Sequence, residues 1–116
     1  MNVSREILDM FTQTGALLEG HFKLSSGRHS DRYMQCARVL QYPRFARRIG
    51  ELLALRFQSV RCSVVVAPAL GGILVAHELA ASLGVRALFG ERENGIMQLR
   101  RGFQIDPGES AIVVED

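Results

Sequence analysis

Cysteine is scarce in this chain, and lysine scarcer. Cys36 and Cys62 stand far apart, with no CxxC spacing. That excludes a disulfide framework and reads as two reduced thiols in the cytoplasm, a disulfide or metal pair being the weaker alternative. Long apolar runs are missing. Val64 to Leu70 is among the longest, far short of the roughly 20 residues a membrane helix needs. Arg5, Glu6 and Asp9 fall within the first ten positions, so no secretory signal is legible and no membrane role is expected. Neither sign of charge dominates: 14 Lys and Arg oppose 12 Asp and Glu, for a net charge of +2. That balance is too weak to argue for nucleic acid as a partner. Lys23 is the single lysine, and the other basic residues are arginines. Arginine suits bidentate phosphate binding, and codon usage explains the same bias equally well.

Several catalytic signatures are also missing. There is no GxxxxGK[ST] phosphate loop, no GxGxxG fingerprint, no GxSxG and no HExxH. His21, His29 and His77 show no metal-ligand spacing. His29 lies in a turn beside Ser30 and Asp31, where it reads as a polar site residue.

What is present is enough for a core: 116 residues, 47% of them hydrophobic, which fits one domain or less. Residues 3–14 read as a helix capped by Ser4, with Ile7, Leu8 and Phe11 on one face and Gly15 as its stop. Residues 20–37 read as extended chain broken by a turn at Ser25-Ser26-Gly27-Arg28. Pro43 opens a second helix, whose stripe of Phe45, Ile49, Leu52, Leu53 and Phe57 runs to about residue 58.

The period changes at Ser63. Val64-Val65-Val66-Ala67 reads as a buried parallel strand. A helix follows from Ile73 to Leu83, ended by Gly84, and then a second apolar run from Val85 to Phe89. Glu91 to Arg101 reads as a charged turn or mobile loop around Asn94-Gly95. Phe103 to Ile105 reads as a short strand, Asp106 to Glu109 as a turn, and Ala111 to Val114 as another buried strand. Strand, helix and strand in this order predict a parallel sheet covered by helices, with ligands beyond the carboxyl ends of the strands. A strand ending on Glu115-Asp116 with nothing after it reads as a truncation.

Three loops could carry chemistry. In Ala67-Pro68-Ala69-Leu70-Gly71-Gly72, adjacent glycines let backbone N–H groups approach an anion at a helix start; tight packing is the plainer reason for the same pair. Glu115-Asp116 could accept hydrogen bonds from sugar hydroxyls or meet a divalent ion carried by phosphates, or be an acidic surface turn. Arg92, Arg100 and Arg101 could close over a polyphosphate, or belong to a solvated loop that Glu91 and Glu93 partly neutralise.

Taken together, these segments resemble the orotate phosphoribosyltransferases. Gly20 to Tyr33, GHFKLSSGRHSDRY, resembles their N-terminal substrate motif. Ala67 to Ile73, APALGGI, resembles their pyrophosphate loop, and Glu91 to Gly95 with Leu99 to Phe103 their mobile loop. Ile112 to Asp116, IVVED, looks like the first half of the motif for phosphoribosyl pyrophosphate (PRPP) found in type I phosphoribosyltransferases.

The resemblance implies an α/β fold: a parallel sheet flanked by helices, with a small N-terminal helix and β hood and the C-terminal part missing. It divides one incomplete domain into a hood at 1–40 and the first part of the core at 41–116. It implies transfer of phosphoribose from PRPP to orotate, Mg²⁺ carried on the pyrophosphate rather than by the protein, and a homodimer. By the family pattern Ser25, Tyr33 and Met34 pack orotate. Leu70, Gly71, Arg92, Glu115 and Asp116 bind PRPP, with Arg92 the loop arginine that serves catalysis. Relatives often carry lysine where this chain has Ser25, Gly71, and Glu93 or Ile96. Those substitutions keep a second class open, a non-catalytic nucleotide-sensing module. A third, a nucleic-acid binder using Arg44, Arg47 and Arg48, lacks any aromatic platform.

Overall fold

A computed structural model describes residues 2–116, and these divide into two compact units, one up to residue 45 and the other residues 46–116. In the first, α1 spans Val3–Gln13. Its cap is Asn2 rather than Ser4: the Asn2 side chain accepts the Arg5 backbone N–H at 3.3 Å. Ser4 lies two residues later, inside the helix. Met10 is the residue α1 buries, with Ile7 and Phe11 half-buried and Leu8 exposed. The expected apolar stripe is therefore rotated toward Met10.

Strands β1 (Leu17–Lys23) and β2 (His29–Met34) pair antiparallel. Extended structure thus begins three residues earlier than the sequence reading placed it. The turn between them closes where it was expected: the Leu24 N–H donates to Arg28 O at 2.7 Å and the Gly27 N–H to Leu24 O at 2.9 Å. A four-residue helix, α2 (Ala37–Leu40), follows and buries Val39 and Leu40. It is too short to show a period in sequence.

Helix α3 runs from Pro43 to Leu55, ending before residue 58 in a series of turns. In the second unit, β3 (Val64–Pro68), α4 (Ile73–Leu83) and β4 (Arg86–Glu93) follow the strand–helix–strand reading. Gly84 caps α4 in the left-handed conformation at φ +73°, which suits a residue without Cβ. Strand β6 (Ala111–Val113) lies parallel to β3 on the side away from β4. Val65, Ala67 and Ile112 meet Ala76, Leu79 and Ala80 of α4 in one buried cluster. Burial on that face stabilises the unit by about 25 cal/mol per Å² of apolar surface removed from water.

Two expectations fail here. The turn expected at Asn94-Gly95 forms, but the residues flanking it are paired strands rather than a mobile loop. Chain continues in β4 to Glu93, turns at Asn94-Gly95, and returns antiparallel as β5 (Ile96–Leu99), giving sheet order β5-β4-β3-β6. Asn94 and Gly95 both have positive φ, 53° and 79°, as a two-residue turn matching strand twist requires. Phe103 to Ile105 is not a strand. The Phe103 ring packs edge-on against Phe89 at 5.3 Å, and the Gln104 carbonyl accepts from the Arg86 guanidinium at 2.7 Å, so a side chain takes what a ladder would use.

The amino ends of the sheet are tied by one carboxylate. Glu109 accepts from the Asp106 N–H at 2.6 Å, from Ser63 Oγ at 2.9 Å and from Arg86 Nη2 at 3.1 Å. The Asp106 bond leads these in holding its carboxyl below the usual range, with Ser63 and Arg86 adding to it.

Candidate functional site

Strands β3, β4 and β6 run parallel and end on one side of the sheet: Pro68 pairs with Gly90, three residues before the end of β4, and the Val114 N–H reaches Val66 O at 3.0 Å. Beyond β3 the chain makes the 67–72 loop. The Ala69 N–H donates to Gly90 O at 2.7 Å, which fastens the loop to β4, and the Gly72 N–H returns to Pro68 O at 3.2 Å. The Ala69–Leu70 peptide is cis. Leu70 stands at the loop tip, 83% exposed.

The two glycines serve different ends. A Cβ on Gly72 would come within 2.9 Å of Ala67 Cβ and Pro68 O, so this position is closed by packing. A Cβ on Gly71 would meet Asp116, 2.5 Å from Oδ2 and 2.8 Å from Oδ1. Gly71 thus leaves the space in which the Asp116 carboxylate lies against the loop. Two segments 45 positions apart, each a candidate on its own, are in contact.

A cleft of about 500 Å³ opens beside them, lined among others by Pro68, Arg92, Met97, Leu99, Val113 and Glu115. Arg92 and Glu115 therefore face one space. The Arg92 guanidinium also donates to Gly95 O at 3.4 Å across the hairpin turn. Arg100 and Arg101 are otherwise engaged. Arg101 makes two hydrogen bonds to the Glu91 carboxylate, at 2.9 and 3.1 Å, and Arg100 lies 3.5 Å from Glu93. The Arg101 hydrogen bonds hold the Glu91 carboxyl below the usual carboxylate range and raise the guanidinium in return. Ile96, where a cation was expected, is 63% exposed at the start of β5.

The apolar wall of Met97, Leu99 and Val113 was not anticipated. Its signal was there: Asn-Gly between Arg92-Glu93 and Ile96-Met97-Gln98-Leu99 is a hairpin signature. Leu70 and Gly71 stand outside the cleft lining, whereas Ala67 and Pro68 belong to it. In the first unit, Tyr33 and Met34 line a hollow with Leu8, Leu17, Leu24, Ser30 and Arg32. Ser25 sits in the adjoining turn and is not part of that lining. Among the described residues no group of three or more His, Cys, Asp or Glu converges to hold a metal ion. None of their helices is long and apolar enough to cross a membrane.

Comparison with known proteins bears on what this arrangement is. Orotate phosphoribosyltransferases from Desulforamulus reducens and Pelotomaculum thermopropionicum are 58% and 59% identical to it over 111 residues, 96% of this chain. The chain belongs to the orotate phosphoribosyltransferase family. It spans about 58% of the length of those curated relatives. The solved orotate phosphoribosyltransferase of Aeropyrum pernix matches 95% of this chain and 64% of its own, with a TM-score of 0.72 at 26% identity. The fold is that of the type I phosphoribosyltransferases: helices flanking a sheet whose parallel strands carry one antiparallel edge. No protein-family model matches the chain.

Proposed function

We propose that the full-length protein transfers the phosphoribosyl group of PRPP to N1 of orotate, giving orotidine 5′-monophosphate and pyrophosphate in pyrimidine nucleotide synthesis. The observation that carries this reading is the Asp116 carboxylate lying against Gly71, beside a cleft that Arg92 and Glu115 share.

In this reading Glu115 and Asp116 accept hydrogen bonds from the ribose hydroxyls, and the loop at Leu70-Gly71 follows the pyrophosphate. Arg92 supplies the cation that stabilises the departing pyrophosphate as the sugar gains oxocarbenium character. The apolar wall limits water, which would otherwise compete for the sugar. Mg²⁺ arrives with PRPP and belongs to the substrate. Tyr33 and Met34, with Ser25 in the turn, pack and hold orotate. The active unit is a homodimer in the cytoplasm, neither membrane-bound nor joined to nucleic acid. Residues 1–116 alone do not turn over, because the cradle for the 5′-phosphate that the family resemblance implies is not within them.

One observation favours the sensing alternative. With Arg100 and Arg101 engaged by glutamates and Ile96 exposed, Arg92 is the one basic residue of the cleft lining. Assay of the full-length protein with Mg²⁺-PRPP and, in turn, orotate, uracil, adenine and hypoxanthine separates the readings. Transfer to orotate alone is expected. PRPP binding without transfer to any base would favour the sensor, and transfer to a purine would overturn the assignment.

A further inference from the structure

In the β1–β2 hairpin, Glu19 pairs with Arg32 and Phe22 with Ser30. Gly20 and His21 therefore oppose Asp31 alone, a bulge that re-aims the side chain at its second position. The side chain so placed is His21. Its Nε2 lies 2.7 Å from Nδ1 of His29, with the rings edge-to-face at 4.8 Å. Both histidines are exposed, so a hydrated ion reaches them freely. We propose that His21 and His29 form a two-histidine site for a divalent late first-row transition ion of the Zn²⁺ and Ni²⁺ class.

The chemistry follows from the contact. Two neutral imidazoles joined by an N···N hydrogen bond share one proton between two ring nitrogens. A metal ion in place of that proton is ligated by both. With bonds of about 2.0–2.1 Å at angles between a right angle and the tetrahedral value, the two nitrogens stand about 2.8–3.4 Å apart. The pair reaches that separation by opening a few tenths of an ångström, with a swing of each ring. Imidazole donors select Zn²⁺, Ni²⁺ and Cu²⁺ over the oxygen-seeking Mg²⁺ and Ca²⁺. Lys23, opposite His29 in the register, weakens the site, and Asp31, two residues along β2, strengthens it. Among the described residues no third His, Cys, Asp or Glu converges here, so water completes the shell and binding is weaker than in a four-ligand zinc site. The bound ion would clip β1 to β2 at the foot of the turn at residues 24–28.

The test uses the 116-residue protein with ¹⁵N-labelled histidine, titrated with NiCl₂ and followed by ring-nitrogen NMR. Paramagnetic broadening of His21 and His29 below one equivalent is expected, with His77 in α4 spared. Calorimetry with ZnCl₂ then compares His21→Gln, His29→Gln and His77→Gln. The first two are expected to lose at least tenfold in affinity and the third to match the parent. Equal broadening of all three rings, no broadening at several equivalents, or full affinity in both hairpin variants would overturn the site. The NMR experiment decides on the unmutated chain even if a variant misfolds.

Discussion

Replacing each loop glycine by alanine separates packing from ligand binding at two adjacent positions. Gly72 has φ −81° and ψ −10°, a conformation alanine adopts without strain. Shortening the unfolded ensemble therefore stabilises Gly72→Ala by about 0.4–1 kcal/mol. Against this, the new Cβ meets Ala67 Cβ and the Pro68 carbonyl at 2.9 Å. One of these is backbone and the other is in the buried cluster, so neither yields cheaply, and overpacking of this kind costs about 1–3 kcal/mol. At the middle of the two ranges the loss wins by roughly 1.3 kcal/mol. With an unfolding entropy of about 2.1 cal/mol/K per residue, that lowers Tm by roughly 5 °C in a chain of this size. The atoms nearest the new Cβ of Gly71→Ala are those of the Asp116 carboxylate, which can swing aside, so its Tm is expected within about 2 °C of the parent by the same entropy scale. The displaced carboxylate should instead cost PRPP affinity in the full-length protein. Differential scanning calorimetry of the two variants, and titration with Mg²⁺-PRPP, check both halves. A Gly72→Ala protein as stable as the parent, or a Gly71→Ala protein less stable than Gly72→Ala, would refute the reasoning.

Leu79 is fully buried between α4 and the sheet, so Leu79→Ala should lose about 2.7–5.0 kcal/mol in urea denaturation. Glu109 has its carboxyl pKa lowered by folding. Its contribution is present above the unfolded value of about 4.3 and is lost as pH falls through the folded value. Urea midpoints measured from pH 6 down to pH 3 should therefore fall more steeply for the parent than for Glu109→Gln. On the proposed function, Arg92→Ala in the full-length protein should lower kcat/KM for PRPP roughly 10- to 150-fold, the worth of one charge-assisted hydrogen bond of about 1.5–3 kcal/mol. Steady-state kinetics with varied PRPP at saturating orotate would show it, and an unchanged kcat/KM would remove Arg92 from the site.

The parts of the fold legible in the sequence are those where one periodicity runs uninterrupted. Val64 to Ala67 stands out as a β-branched run followed by Pro68, and Ile73 to Leu83 as a helical stretch between Gly72 and Gly84, and both elements form there. Charge obscured the β4–β5 hairpin. Glu91, Glu93, Arg100 and Arg101 read as a solvated loop, yet they pair across the hairpin and its exit, and those pairs let a strand carry so many charges. Phe103 to Ile105 misled in the opposite sense: an apolar–polar alternation marked a ring contact with Phe89, not a ladder. The cap at Asn2 was missed because Ser4 has the same chemistry two residues on. For the site, sequence could nominate the 67–72 loop and Glu115-Asp116 but not join them. The joining is a matter of register, set where β6 lies against β3.

The account rests on the acidic pair and the glycine loop holding one substrate, PRPP, rather than the base. The KM values of full-length Asp116→Ala for PRPP and for orotate, each at saturating co-substrate, test this most directly. The carboxylate that lies against Gly71 is expected to be worth one or more charge-assisted hydrogen bonds to the ribose. KM for PRPP should then rise about tenfold or more while KM for orotate stays within about twofold. A raised KM for orotate with KM for PRPP unchanged would contradict the account.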